Sequence, residues 1–194
     1  MFLSDFTDET LLKFSSFFHD IGKAYLKKSG KYYKNHQNKS AQVVKEITEK
    51  LSFGKKASSF CSKIVKNHLS ISELFFLKKE GYLQEKDLNF WWYENKDIAP
   101  HLMLLTAADT KATLEDDNIQ KEVLEFIRYL QDYYFNIYTK KIVEKPLLTG
   151  KEIMEILNLK PSKKVGIIKE HLLKAQIEGK IRTKEQAIEF IKSI

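Results

Sequence analysis

The 194-residue sequence has little cysteine, proline or glycine: it contains one, three and seven of them. A single cysteine, Cys61, excludes an internal disulfide and a zinc site built from several thiolates. The scarcity of proline and glycine, together with the near absence of alternating β-branched residues, argues against strands joined by tight turns. Apolar residues instead recur at spacings of three and four, so we predict an all-α protein.

Long apolar runs are also absent. No stretch of about 18 apolar residues is present that would cross a bilayer. Residues 1–5 lack the basic start and long apolar centre of a signal peptide. We therefore expect a cytoplasmic protein without a membrane partner. With 43% hydrophobic residues, the chain is long enough to bury one core plus a small appendage.

Apolar periodicity places the individual helices. It predicts a first helix over about 8–28, then helices near 36–52, 55–68 and 71–79, a buried helix ending at Asp109 and a long connecting helix over about 118–141. Gly30 is predicted to end the turn after the first helix. The aromatic segment from Leu88 to Tyr93 is less clear, and the pattern does not place its Trp91-Trp92 pair.

The stretch from Val143 to Pro146 is the best candidate for a linker. We therefore predict a helical domain over residues 1–142 and a small basic helical tail over residues 143–194. The tail has 11 Lys or Arg against 7 Asp or Glu, whereas the first 142 residues have 22 against 19. A formal net charge of +7 suits either a polyanionic partner or simple solubility. Its distribution favours the tail as the nucleic-acid candidate.

The most informative local feature is His19-Asp20-Ile21-Gly22-Lys23, because a pair of metal-ligand types interrupts an apolar helical stripe. Burying an imidazole and a carboxylate costs free energy unless each finds a partner or a cation. Neighbouring residues on a helix point about 100° apart. One metal ion could therefore contact both side chains only beside the helix edge, with further ligands from other helices. The alternative is a buried hydrogen-bonded pair without metal.

Three further residues have the right chemistry and position to be ligands. His68 closes an apolar stripe, Asp109 ends an apolar run, and His36 opens an amphipathic stretch from which it can project. The remaining histidines, His101 and His171, are predicted to be ordinary surface or packing residues. Oxygen and imidazole ligands suit manganese, nickel, magnesium, iron or zinc, and do not choose among these divalent ions.

Together these residues resemble the HD superfamily of metal-dependent phosphohydrolases. More narrowly, they resemble the HD domain of one branch of bacterial tRNA nucleotidyltransferases and poly(A) polymerases. The motifs are Phe17 to Lys23, His36, Val65-x-x-His68, Leu104 to Thr110 and, in the tail, Pro146 to Met154, Leu159 to Pro161 and Glu178 to Thr183. The resemblance covers roughly residues 11–192. It implies an HD-type helical bundle followed by the connecting helix and the tail.

The resemblance also implies a function. A divalent metal would be held by His19, Asp20, His68 and Asp109, with Lys23 or His36 assisting the developing charge. The reaction would be the hydrolysis of a nucleotide or RNA phosphoester in a tRNA-related role.

Two features of the family pattern are missing from this sequence. No histidine precedes His19, although HD phosphohydrolases usually have one there, and the sequence contains neither Gly-Gly nor Asp-x-Asp, which mark the polymerase head. We therefore expect no nucleotide polymerisation by this chain alone. The alternative function is a non-catalytic RNA-binding body and tail of a divided tRNA nucleotidyltransferase, with the head on a separate chain. A folded remnant with little activity is the third possibility.

A cluster of lysines predicts where RNA would bind the tail. Lys160, Lys163, Lys164 and Lys169 lie on or next to the helix that Pro161 and Ser162 open. Lysines there oppose the positive end of the helix dipole, but together with free backbone amides they make a phosphate site. The alternative is a solvated lysine face.

Overall fold

The computed structural model describes residues 6–28 and 33–194, and it has no strand within those ranges. The all-α prediction is therefore confirmed. Along the chain the α-helices are α1 (Asp8–Phe18), α2 (His36–Lys50), α3 (Lys55–Asn67), α4 (Ser70–Lys79), α5 (Glu85–Asn95), α6 (Ala99–Thr113), α7 (Asp117–Tyr133), α8 (Thr139–Lys141), α9 (Gly150–Leu157), α10 (Lys163–Ile177) and α11 (Lys184–Ser193). The turn predicted at Gly30 lies outside the described residues. Across the described ranges, no helix combines the length and apolarity that a membrane span needs.

The chain forms two compact units. The first consists of residues up to Lys79 with Asp97–Ile127, and the second of Glu80–Lys96 with Arg128–Ile194. The division at residue 142 that the sequence suggests stays a prediction. Helix α7 continues into a π-helical stretch, Tyr134–Tyr138, and then into α8.

The first unit packs α1, α2 and α3 around a small apolar core. Leu11, Ala41, Val44, Cys61 and Val65 are buried there, with the Phe14 and Phe18 rings packed against them. Burying each large aliphatic side chain contributes about 1.5–3 kcal/mol. Cys61 is a buried free thiol, as its position in the apolar stripe predicts.

Helices α2 and α3 approach closely because their contact is made by small polar residues. The Ser62 hydroxyl donates to the Ala41 carbonyl at 3.1 Å, and the Thr48 and Ser58 hydroxyls lie 2.8 Å apart. This hydrogen-bonded seam holds the two helices in register below the surface.

The second unit contains its own core, formed by α9, α10 and α11 around Ile153, Leu172 and Ile191. Thr149-x-x-Glu152 and Thr183-x-x-Gln186 have the sequence pattern of a capping box, and both threonines cap their helices, α9 and α11, in this way. Trp91 and Trp92, which the sequence does not place, lie in α5 with about 5% of their surface exposed. The Trp92 ring packs on Tyr134 at a centroid distance of 4.3 Å.

The predicted linker is held by one side chain of the second unit. The buried Gln176 amide donates to the carbonyls of Val143 and Lys145 at 2.8 and 3.0 Å. Its oxygen accepts from the backbone N–H of Leu147 at 3.0 Å. These three bonds satisfy the backbone of a segment that has no regular structure.

The prediction of one helix over residues 8–28 is wrong at its end. Helix α1 ends at Phe18, and a separate 3-10 helix, Ile21–Tyr25, follows. The chain leaves the α-helical conformation at Asp20, which lies between these two helices. Asp20 has φ −104° and ψ 3°, a conformation between the strand and helix regions that is common at functional sites.

Candidate metal centre

The break after α1 places two adjacent polar side chains on the same side of the chain. On a straight helix they would point about 100° apart. Here the His19 Nε2 atom lies 3.4 Å from Asp20 Oδ2, because Asp20 has left the helical conformation. The His-Asp pair can therefore face one point, whereas on the uninterrupted helix predicted from the sequence a shared ion would have to lie beside the helix edge.

Three imidazoles are oriented in the same way by their own backbone. His19 Nδ1 lies 2.7 Å from the Ser16 carbonyl oxygen, His36 Nδ1 lies 2.9 Å from that of Tyr33, and His68 Nδ1 lies 2.7 Å from that of Val65. A carbonyl oxygen only accepts, so each Nδ1 carries the proton. In the neutral form, each Nε2 then presents a lone pair.

Those Nε2 atoms meet around the carboxylate of Asp20. His36 Nε2 lies 3.0 Å and His68 Nε2 lies 3.6 Å from Asp20 Oδ1. The two nitrogens are 3.3 Å apart. Lone pairs at this distance repel each other unless a proton or a cation lies between them.

The Asp20 Oδ1 atom shows the consequence of this arrangement, which is a carboxylate oxygen without a hydrogen-bond donor in the described part of the chain. It is buried and accepts no hydrogen bond from the described residues, although two imidazole nitrogens are close. A buried carboxylate oxygen without a donor is costly. Its neighbours offer lone pairs where it needs a positive charge, so the donor set of His19, Asp20 and His68, with ligand atoms within 4.8 Å of one another, could hold a metal ion.

Asp109 and Lys23 lie at the margin of this cluster. Asp109 Oδ1 is 3.6 Å from His19 Nε2, the same nitrogen that faces Asp20. The Lys23 ammonium pairs with Asp20 Oδ2 and is about half-exposed. Both carboxylates therefore act on His19, and Lys23 holds the carboxylate oxygen that points away from His36 and His68.

The electrostatics favour ion pairs over neutral groups. Interactions with the Asp109 and Asp20 carboxylates raise the pKa of His19 to about 10, although burial opposes its charged form. Burial also opposes ionisation of Asp20, but its interactions with His19, His68 and Lys23 outweigh this and hold the pKa of its carboxyl well below the usual range. In the metal-free chain a proton on His19 supplies positive charge that a cation would otherwise bring.

Gly22 sets how closely α2 approaches the cluster. Its backbone N–H donates to the Ser40 hydroxyl at 2.8 Å. A Cβ atom at this position would lie 2.5 Å from the carbonyl oxygen of His36. The first turn of α2, which carries His36, is thus packed directly on the glycine backbone.

The structure brings together six of the residues predicted for the site. They are His19, Asp20, Lys23, His36, His68 and Asp109. The sequence gives His36 an assisting role, whereas its position makes it a candidate ligand. His101 lies outside the cluster, 3.5 Å from Asp8, and His171 is exposed.

The predicted RNA-binding lysines are all exposed in the second unit. Lys163 and Lys164 begin α10, and Lys160 lies three residues earlier. Lys169 comes six residues after Lys163, so it points about 120° away from it around the helix.

Sequence reasoning missed the backbone groups that orient the imidazoles. Each of the three histidines bonds the carbonyl three residues earlier, at Ser16, Tyr33 and Val65. His19 and His68 follow the last residue of a helix, and His36 begins one. For His36 and His68 the signal was available, because both lie at predicted helix ends, whereas His19 lies inside the predicted first helix.

Comparison with known proteins adds an independent result. No family model matches the chain. The chain is 27% identical over 184 residues to a CC-adding tRNA nucleotidyltransferase of Thermus thermophilus, which covers 92% of the chain and 39% of that protein. It is 21% identical over 188 residues to an A-adding tRNA nucleotidyltransferase of Deinococcus radiodurans, covering 94% of the chain and 41% of that protein.

A third relative matches a shorter part. A CC-adding tRNA nucleotidyltransferase of Synechocystis is 27% identical over 109 residues, or 56% of the chain and 24% of that protein. The chain thus spans about two fifths of the length of the first two relatives. The resemblance to the bacterial tRNA nucleotidyltransferases that the sequence predicts is confirmed over more than nine tenths of the chain.

Proposed function

We propose that the first unit is an HD-type divalent metal site that hydrolyses a nucleotide or RNA phosphoester in a tRNA-related role. The observation that carries this proposal is the meeting of His36 Nε2, His68 Nε2 and Asp20 Oδ1, with 3.0 Å and 3.3 Å separations. Each imidazole is locked by its Nδ1 hydrogen bond, which is how metal-binding histidines are usually oriented. A structural hydrogen-bonded cluster would instead pair donors with acceptors.

His19, Asp20, His36 and His68 would hold the ion. Asp109 would orient His19 or complete the ligand set. His36 supports the proposal further. HD phosphohydrolases usually have a histidine before the His-Asp pair, which this sequence lacks, and His36 would supply an imidazole in its place. Nitrogen and oxygen ligands of this kind leave manganese, nickel, magnesium, iron and zinc all possible.

The protein groups around the cluster are suited to a phosphorylated substrate. A bound divalent cation polarises a phosphoryl oxygen and lowers the pKa of water. A cavity of about 470 Å³ adjoins the cluster. Its charged lining residues are Lys23, Lys28 and Glu73, and His36 and Phe76 also line it. Lys23 and Lys28 bring positive charge to phosphate oxygens at its wall, and the exposed Phe76 ring offers an apolar surface.

Metal analysis of the purified protein tests this proposal. We expect a near-stoichiometric divalent metal in the wild type and a large loss in Asp20→Ala and His68→Ala. The loss should exceed the roughly 10- to 100-fold cost of removing a hydrogen-bond partner of a ligand. His171→Ala is the matched control, because it removes an exposed imidazole far from the cluster in sequence.

Hydrolysis of bis(p-nitrophenyl) phosphate and of nucleoside monophosphates should follow the metal content in the same variants. Metal content that stays unchanged in both cluster variants would refute the proposal. Hydrolysis that persists in Asp20→Ala with chelator present would assign the activity to another site.

We propose, as a second function, a non-catalytic RNA-binding body and tail that acts with a nucleotidyltransferase head on a separate chain. Similarity to CC-adding and A-adding enzymes over more than nine tenths of the chain supports the tRNA-related role, on which this second function also rests. Under this function tRNA is the partner and the metal cluster is structural. Chelated protein and Asp20→Ala should then bind a tRNA transcript as the wild type does, without hydrolysing any phosphoester.

A further inference from the structure

Two stretches of the first unit carry lysines and no acidic residue. Residues 21–45 contain seven lysines, and residues 50–72 contain five. The rest of residues 1–142 has 10 Lys or Arg against 19 Asp or Glu. The second of these two positive stretches contains α3.

Four polar residues of this segment form a stripe along the side of α3 that adjoins α2. Lys55, Ser59, Ser62 and Lys66 follow at spacings of four, three and four, so they share one side of the helix. The stripe is about 16 Å long at the helical rise of 1.5 Å per residue. That length matches several consecutive phosphates of a nucleic-acid strand.

The stripe lies in a groove between α3 and the end of α2. The groove has a volume of about 910 Å³, and its charged lining residues are four lysines and one acid: Lys45, Lys55, Lys63, Lys66 and Glu49. The close α2–α3 contact forms its floor. A concave surface lets several lysines reach the same strand.

The lysines differ in whether an acidic partner already neutralises them. Lys63 pairs with Asp97 at 2.6 Å, and Lys45 lies 4.0 Å from Glu49. Lys55 and Lys66 are exposed and have no ion pair within the described parts of the chain. Their charge is available to an external anion.

The residues at the start of α3 destabilise the N-terminus of the helix. Lys55 and Lys56 occupy its first turn without any acidic residue, and Gly54 gives no side-chain cap. Cations at this end interact unfavourably with the helix dipole. An anion at the free backbone amides would reverse that cost.

We infer that this α3 groove binds the phosphate backbone of RNA. The inference rests on the tRNA-related role proposed above, which selects RNA among polyanions. It adds a binding surface in the first unit, separate from the lysines of the tail. His68 follows Lys66 by two residues and therefore points about 200° away around the helix, so the groove and the metal cluster lie on different sides of α3.

The test compares two triple variants for tRNA binding across a series of KCl concentrations. The groove variant is Lys45→Gln, Lys55→Gln and Lys66→Gln, at three exposed lysines that line the groove. The control variant removes the same charge from exposed helical positions elsewhere, at Lys13, Lys86 and Lys121. Glutamine is a good helix former, so both should fold; urea unfolding and metal content check this.

Each lost phosphate contact lowers the salt slope by about 0.7–0.9. The groove variant should lose about two to three units of slope and, near 0.1 M salt, affinity on the order of 100-fold. The control variant should stay close to the wild type.

Proximity provides a second readout that does not depend on net charge. Ser59 is exposed and lines the groove, whereas Cys61 is fully buried. A photo-crosslinker on Ser59→Cys should therefore label bound tRNA, and the same reagent on Thr10→Cys of α1 should not.

The outcomes separate the two proposals. If the wild type binds tRNA but both triple variants bind equally well, and Ser59→Cys gives no crosslink, the groove inference is wrong and the tRNA role stands. If the wild type does not bind tRNA, the tRNA role fails and the groove inference fails with it. Binding to anionic phospholipid vesicles instead of tRNA would also overturn both.

Discussion

Gly22 provides the sharpest test of how the cluster is assembled. A Cβ atom at residue 22 would lie 2.5 Å from both the His36 carbonyl oxygen and the Ser40 backbone nitrogen, and 2.7 Å from the Ser40 hydroxyl. Real Cβ atoms essentially never approach this closely. Two of the three clashing atoms are backbone, so no side-chain rotation can relieve Gly22→Ala. Helix α2 has to move.

The cost follows from two effects. Forcing extra volume into a packed site costs about 1–3 kcal/mol. Losing the hydrogen bond from the Gly22 N–H to Ser40 costs about 0.5–1.5 kcal/mol. We expect Gly22→Ala to lower the free energy of unfolding by about 2–4 kcal/mol, a large part of the 5–15 kcal/mol typical of proteins. The melting temperature should fall by roughly 5–15 °C.

The same movement should weaken metal binding, since α2 carries His36. Urea unfolding of the metal-free protein measures the stability change, and metal titration measures the affinity change. Gly166→Ala is the control, because Gly166 lies in α10 and a Cβ atom there would meet nothing within 4 Å. That variant should gain about 0.5–1 kcal/mol. If Gly22→Ala were as stable and bound metal as tightly as the wild type, the close packing of α2 on Gly22 would be refuted.

Three further predictions follow from single groups. The pKa of His19 is raised from 6.5 to about 10, so its stabilising contribution to the metal-free protein is complete below about pH 6.5 and is lost as the pH rises towards 10; urea unfolding in chelator should show this fall, and His19→Gln should lack it. Gln176→Glu replaces a donor to two carbonyls by an acceptor, which should cost about 2–4 kcal/mol in urea unfolding and speed proteolysis near residue 145. Lys163→Glu with Lys164→Glu should flatten the salt dependence of tRNA binding by roughly one to two units and leave metal content unchanged; an unaltered slope would mean a solvated lysine face.

The helices could be predicted from the sequence because local physics determines them. Apolar spacing located α2, α3 and α4 to within about two residues, and the capping residues Thr149 and Thr183 fixed two helix starts in the tail. Each of these signals involves residues within one or two turns of each other. The apolar spacing did not predict the break after Phe18, because α1 and the following 3-10 helix both continue the apolar stripe. Periodicity does not report the change of backbone conformation at Asp20.

The charge distribution shows a different limit. Counting over whole domains gave the tail the larger excess, because acids elsewhere in the first 142 residues offset most of the seven lysines within residues 21–45 and the five within residues 50–72. Electrostatic binding depends on charge within about a Debye length, roughly 8–10 Å, and not on a domain total. A shorter window along the sequence contains this signal, but only the packing of α3 on α2 shows that Lys55 and Lys66 border one groove.

The cluster itself depends on information that residue types do not carry. His36 and His68 could be recognised as possible ligands, but whether an imidazole presents a lone pair or a proton depends on which nitrogen is already bonded. Here the carbonyls of Tyr33 and Val65 take both Nδ1 protons, which leaves two acceptors facing Asp20 Oδ1. Three acceptors cannot stabilise one another, so a proton or a cation is required between them. That requirement, and not the presence of a His-Asp pair, makes this point of the fold the place where a divalent cation would bind.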